Sequence, residues 1–154
     1  MPQDAEHPVA ANETIAKFGY PHTLLANYEH WTVLLRPQQV TLGSLVLACR
    51  EQATRFSDIS QGAFTSLAAA TGDIEAVLGQ AFSYDKLNYL MLMMVDPHVH
   101  FHVIPRYAET KEFGGVAFAD AGWPGVPDLS AAAALDQTQI AALADFLRGR
   151  WPAG

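Results

Sequence analysis

Three histidines occupy every second position in the segment Asp96-Pro97-His98-Val99-His100-Phe101-His102-Val103-Ile104-Pro105-Arg106. Alternation of this kind predicts a strand, with His98, His100 and His102 on one face and Val99, Phe101 and Val103 on the other. The apolar row suits burial, whereas a row of imidazoles suits chemistry. Imidazole changes its protonation near neutral pH and serves as nucleophile, acid, base or metal ligand. Along a strand, neighbouring histidines of the row stand about 6.6 Å apart and the outer two about 13 Å. A zinc ion holds nitrogen at about 2.1 Å, so one ion reaches two of the three but not all. The spacing better fits an elongated polar substrate such as a polyphosphate. One imidazole would attack, a neighbour would donate a hydrogen bond or proton, and a third would orient the set.

The run His98-Val99-His100-Phe101-His102-Val103-Ile104 resembles the signature of the histidine triad family, His-φ-His-φ-His-φ-φ with φ apolar. The preceding Lys86-Leu87-Asn88-Tyr89-Leu90-Met91-Leu92-Met93-Met94 is similar to the family's strand before the triad, and the resemblance runs over roughly residues 20 to 110. It implies an α+β fold of the HIT type, an antiparallel sheet of about five strands with one long helix packed on it and a C-terminal helix, in a homodimer. It also implies a nucleotidyl hydrolase or transferase acting at the α-phosphate of a nucleoside polyphosphate or phosphoramidate, through a covalent nucleotidyl-histidine intermediate. The nucleophile is then His100. His102, as a cation, contacts the phosphoryl oxygens and the leaving group, and His98 orients His100.

Around the triad the chain departs from that pattern. Leu42-Gly43-Ser44 stands where family members commonly carry Pro-Gly-His. The Ser44 hydroxyl both donates and accepts, and is a candidate to orient His98 or His100. Arg36 stands where several members have an asparagine near the ribose; Arg36 and Arg106 are candidates to meet the substrate's negative charge, and Asn88, which reads first as a strand residue with a side-chain hydrogen bond, is a further candidate substrate contact. Only Asp96-Pro97 separates the two predicted strands, so contacts from the family's longer phosphate-touching loop are expected to be missing. No carboxylate cluster calls for a protein-bound metal, and no cofactor is expected beyond magnesium travelling with the substrate phosphates. Two other classes stay open: a noncatalytic nucleotide-binding module, and a metal-binding protein using two of the triad histidines.

Half of the 154 residues are apolar and 16% are charged, a balance that supports a folded core rather than disorder. A net charge of −7 lacks the basic excess of a general nucleic-acid binder. No apolar run has the 18 or so residues of a membrane span. Met1-Pro2-Gln3-Asp4-Ala5-Glu6 has neither the basic nor the apolar region of a signal peptide. A cytoplasmic location is the expectation. Cys49, the single cysteine, ends the apolar run Leu45-Val46-Leu47-Ala48-Cys49 and reads as a buried thiol.

The elements that must position the histidines follow from pattern. Residues 1–12 read as a polar tail, 13–112 as the HIT-like domain, and 113–154 as a Gly/Pro-rich loop and a C-terminal helix. Strands are predicted over 23–26, 31–36, 45–50, 87–95 and 99–104. Ser57-Asp58-Ile59-Ser60 offers caps for a helix whose apolar positions Phe64, Leu67, Ile74, Val77, Leu78 and Phe82 recur at helical spacing. Residues 113–128 read as loop, with Phe118 or Trp123 as a candidate rim of the site. Asp136 and Gln139 form a capping-box pattern that opens the last helix.

Overall fold

In the computed structural model, residues 12–133 and 135–152 are described. The chain runs α1 (Glu13–Lys17), β1 (Leu24–Asn27), β2 (Trp31–Leu35), β3 (Leu45–Cys49), a short 3-10 turn at Phe56–Asp58, and α2 (Gln61–Phe82). It continues through β4 (Lys86–Leu90), β5 (His100–Arg106), β6 (Lys111–Phe113), β7 (Val116–Phe118) and α3 (Gln137–Arg148). Five strands make one antiparallel sheet in the order β1-β2-β3-β5-β4. The α+β architecture with a long helix against a five-stranded sheet is the one expected from the sequence.

Every residue of β2 and β3 is buried, as in a sheet covered on both faces. On one face Trp31, Val33, Leu35, Leu45, Leu47 and Val103 pack against Ala70, Ile74, Leu78 and Phe82 of α2, with Leu143 and Leu147 of α3 in the same core. The other face carries a smaller cluster of Leu34, Val46 and Ala48 with Ile15 and Phe18. Val46 pairs with His102 and Ala48 with His100 across the ladder, so the imidazoles emerge beside this second cluster.

Caps explain where the helices begin. Ser60 closes the N-terminus of α2 on the Ala63 amide, and Asp136 with Gln139 forms the predicted box on α3. The side chain of Asn12 caps α1 by accepting from the Ile15 N–H, and its amide donates to the carbonyls of Cys49 and Glu51. Asn12 is thus a buried cap rather than the end of a tail; the rest of the expected tail lies outside the described residues. Cys49 is buried, and desolvation pushes its thiol pKa up to about 11.

Three expectations are corrected. Strand β4 ends at Leu90, opposite His102, instead of continuing to Val95. The connection to β5 is therefore residues 91–99, with Met93 in the left-handed region at φ 50°, and not the two residues Asp96-Pro97. His98 lies in that connection, one turn of pleat before β5 begins. Finally, residues 111–118, read in large part as loop, form the hairpin β6–β7 around Gly114-Gly115, both at positive φ. Two positive-φ glycines between short extended segments are what a tight hairpin turn demands.

Candidate active site

β5 delivers His100 and His102 to one cavity of about 470 Å³, a size ordinary for a small-ligand site. The two rings sit 5.0 Å apart at 79°. Phe18, just after α1, closes over both, 5.8 Å from His100 and 5.7 Å from His102. Lys17, Arg36 and Gln38 bring polar atoms to the wall, while Leu92, Met93, Met94 and Val95 of the loop before β5 make it apolar, together with Leu129. Met91 and Met93 of this loop pack against the main core, as expected; Met93 also lines the cavity, whereas Met94, 86% exposed, lines it without entering the core. Asp96 closes the ring of lining residues and pairs with Lys17 at 2.9 Å.

Each histidine has a defined partner. His100 Nδ1 lies 2.7 Å from the carbonyl oxygen of His98. A carbonyl only accepts, so Nδ1 carries the proton and the neutral ring keeps a free lone pair on Nε2. His98 is itself pinned: its backbone N–H donates to Thr14 Oγ1 at 3.3 Å, and its Nδ1 is 3.2 Å from the same hydroxyl. His98 therefore sits off the strand and meets His100 through its carbonyl rather than its imidazole. His102 Nδ1 accepts from Arg36 Nε at 3.3 Å, which leaves the ring proton on Nε2. Desolvation, then the charges of Arg36 and His100, hold the His102 pKa down at about 4, against a smaller opposing pull from Asp96. The expected imidazolium at His102 is corrected: the ring is neutral near neutral pH, and the cation beside it is Arg36.

Of the other sequence candidates, Arg36 reaches the cavity and three do not. Ser44 is fully buried; its Oγ donates to the Thr41 carbonyl and accepts from the Thr41 N–H, so it serves the turn that leads into β3 and touches no histidine. Arg106 extends the histidine row in sequence, but its guanidinium is only 4% exposed and is committed to Asp120 at 2.7 and 3.1 Å and to Asn88 Oδ1 at 2.8 Å. A buried guanidinium needs this closed set of acceptors. Arg106 and Asn88 thus brace each other and the segment after β7, away from the cavity. Phe118 is in the main core, and Trp123 does not line the cavity.

Sequence reasoning missed Thr14, Lys17, Phe18 and the loop 92–95. The Asn12 cap two residues before Thr14 was a usable helix-start signal. Nothing local tied that short helix to a strand more than eighty residues away. Among the described residues no three His, Cys, Asp or Glu side chains come together to hold a metal ion, and no described helix is long and apolar enough to cross a membrane.

Comparison with known proteins agrees with this geometry. A family model described as the HIT domain matches residues 21–109, more than half of the chain. A histidine triad protein from Bradyrhizobium japonicum superposes with a TM-score of 0.66 at 22% identity, covering 83% of this chain and 89% of the other. One from Sinorhizobium meliloti 1021 gives 0.65 at 18% identity, covering 82% and 87%. Plasmodium falciparum diadenosine triphosphate hydrolase gives 0.60 at 10% identity, covering 84% and 76%. No protein of curated function matches the sequence. With the triad strand, the five-stranded sheet and the family match in agreement, the chain belongs to the HIT-domain family.

Proposed function

We propose that the protein is a nucleotidyl hydrolase or transferase that cleaves at the α-phosphate of a nucleoside polyphosphate or phosphoramidate. The observation that carries this reading is the 2.7 Å contact from His100 Nδ1 to the His98 carbonyl, which leaves Nε2 as a free nucleophile at the cavity wall. In the first step Nε2 forms a P–N bond to the α-phosphorus while the bond from phosphorus to the leaving group breaks. The neutral His102 donates through Nε2–H to a phosphoryl oxygen or to the departing atom, and Arg36 supplies positive charge. In the second step water attacks phosphorus, the P–N bond breaks, and the nucleoside monophosphate departs. Splitting one displacement into two is the advantage of a covalent intermediate. Magnesium enters this proposal only as a companion of the substrate phosphates, and a homodimer only as the family's habit.

The test is a substrate panel of diadenosine polyphosphates, adenosine phosphoramidates and nucleotide sugars, with acid-quenched mass spectrometry. A mass increment of one nucleotidyl group on His100, absent in His100→Ala along with turnover, is expected. Full activity in His100→Ala would overturn the reading. One observation favours a second reading, a nucleotide-binding module without turnover: residues 92–95 bring no polar side chain to the wall where phosphates would lie. Binding of AMP without hydrolysis of any panel member would select it.

A further inference from the structure

We infer that Arg36 is a positioning residue that acts through His102, locking its imidazole in the tautomer that presents Nε2–H to the substrate. This rests on the function proposed above for its catalytic meaning, but not for its geometry. Arg36 stands just past β2, where its own backbone is fixed on both sides. Its N–H donates to the Ser44 carbonyl at 3.0 Å, and its carbonyl accepts from Gln39 Nε2 at 2.7 Å. Gln39 is fully buried; its Nε2 also donates to the Ser44 carbonyl, and its Oε1 accepts from the Gly43 N–H. The turn from 36 to 44 is thus built around one buried amide. At the far end, Arg36 Nη1 donates to the Gln38 carbonyl at 2.8 Å. A guanidinium held at both ends aims its Nε–H with little freedom, and it aims at His102 Nδ1.

The consequence is chemical. A neutral imidazole has one proton and two nitrogens, and a donor on Nδ1 forces that proton onto Nε2. Arginine is suited to the task because it never gives up its proton and so never becomes an acceptor that would reverse the tautomer. The groups that face His102 are Arg36 beyond β2, His100 on its own strand, Asp96 on the preceding loop and the uncharged Phe18 ring after α1. Burial, Arg36 and His100 favour the neutral ring, and Asp96 opposes them. The site is thereby organised as a division of labour. His100 is protonated on Nδ1 and bare on Nε2, His102 is bare on Nδ1 and protonated on Nε2, and a separate backbone or side-chain partner enforces each state.

Long-range proton–nitrogen NMR on the free protein reads both tautomers with no substrate present. The Nε2–H form of His102 is expected in the wild type. Arg36→Met should mix the tautomers and raise the His102 pKa above its low wild-type value. With a turned-over substrate, that variant should lose kcat roughly 10- to 100-fold, the loss typical of a hydrogen bond to a charged group, with a smaller change in KM, and its acid limb should move to higher pH. Arg36→Lys keeps the charge but not the planar Nε–H, and should recover only part of the loss seen in Arg36→Met. An Nδ1–H form of His102 in the wild type, or full recovery by Arg36→Lys, overturns the inference. Absence of turnover on the whole panel beside the expected tautomer result overturns the functional proposal instead.

Discussion

The Thr14 hydroxyl meets His98 twice, accepting from its backbone N–H at 3.3 Å and lying 3.2 Å from its Nδ1. The residue so clamped is the one whose carbonyl fixes His100. A side chain on the first helix therefore sets the orientation of the proposed nucleophile through one intervening residue. Thr14→Val should lower kcat roughly tenfold, the cost of about one hydrogen bond, with little change in KM. Thr14→Ser should retain activity. Steady-state kinetics on the substrate found by the panel, with thermal unfolding as a control, check this.

Lys17 and Asp96 join the same helix to the loop before β5, at the cavity mouth. The lysine is half exposed, so the pair contributes little to stability, about 0–1 kcal/mol. Under the proposed function its value lies in placing a cation at the wall of the cavity that would take the nucleotide. Lys17→Met is expected to leave the urea midpoint almost unchanged, to raise KM, and to make KM less sensitive to salt than in the wild type. Kinetics at low and high ionic strength measure both effects.

Ser44 gives the opposite pattern. Its hydroxyl satisfies the Thr41 backbone in a fully buried turn. Ser44→Ala leaves the Thr41 N–H without that acceptor and should cost about 1–3 kcal/mol, read from urea unfolding. The kcat of the folded variant and the state of His100 and His102 should not change.

Asp120 supplies a pH-dependent stability. Burial alone raises its pKa, but hydrogen bonds from Arg106, Tyr107 N–H and Gly122 N–H, with the Arg106 charge, outweigh it and hold the carboxyl below the usual range. A depressed folded pKa means that the stabilising contribution is complete above the unfolded value, about 3.9, and is lost as pH falls through the folded one. Asp120→Ala leaves Arg106 buried and unpaired and should cost about 3–5 kcal/mol at neutral pH. The gap between variant and wild type should narrow as pH drops below about 4. Urea unfolding across pH measures this.

The triad, β2, β3, α2 and α3 were legible because each rests on a local pattern: alternation, helical period, or a cap at fixed spacing. The end of β4 was not, because Leu90-Met91-Leu92-Met93-Met94-Val95 is apolar throughout and reads as strand to its last residue. The structure divides that run between the cavity wall, where Leu92 to Val95 stand, and the edge of the core, against which Met91 and Met93 pack. The β6–β7 hairpin left a readable signal in Phe113-Gly114-Gly115-Val116, with extended residues on either side of a glycine pair. The fates of Asn88 and Arg106 depended on partners distant in sequence, whereas the Ser44 hydroxyl turns back onto Thr41 within its own turn. Arg106 looks the same on paper whether it meets a phosphate or Asp120. The neutrality of His102 is likewise a product of burial and of Arg36, neither visible from the spacing of histidines.

The family match covers residues 21–109, yet Thr14, Lys17 and Phe18 precede it and Asp120 and Leu129 follow it. The matched middle is thus not a portable unit. Excised at those borders, it would keep its histidines but lose the ring over them, the clamp on His98 and the counter-ion of Arg106. A chimera that grafts this triad strand onto another scaffold would have to carry both flanks with it.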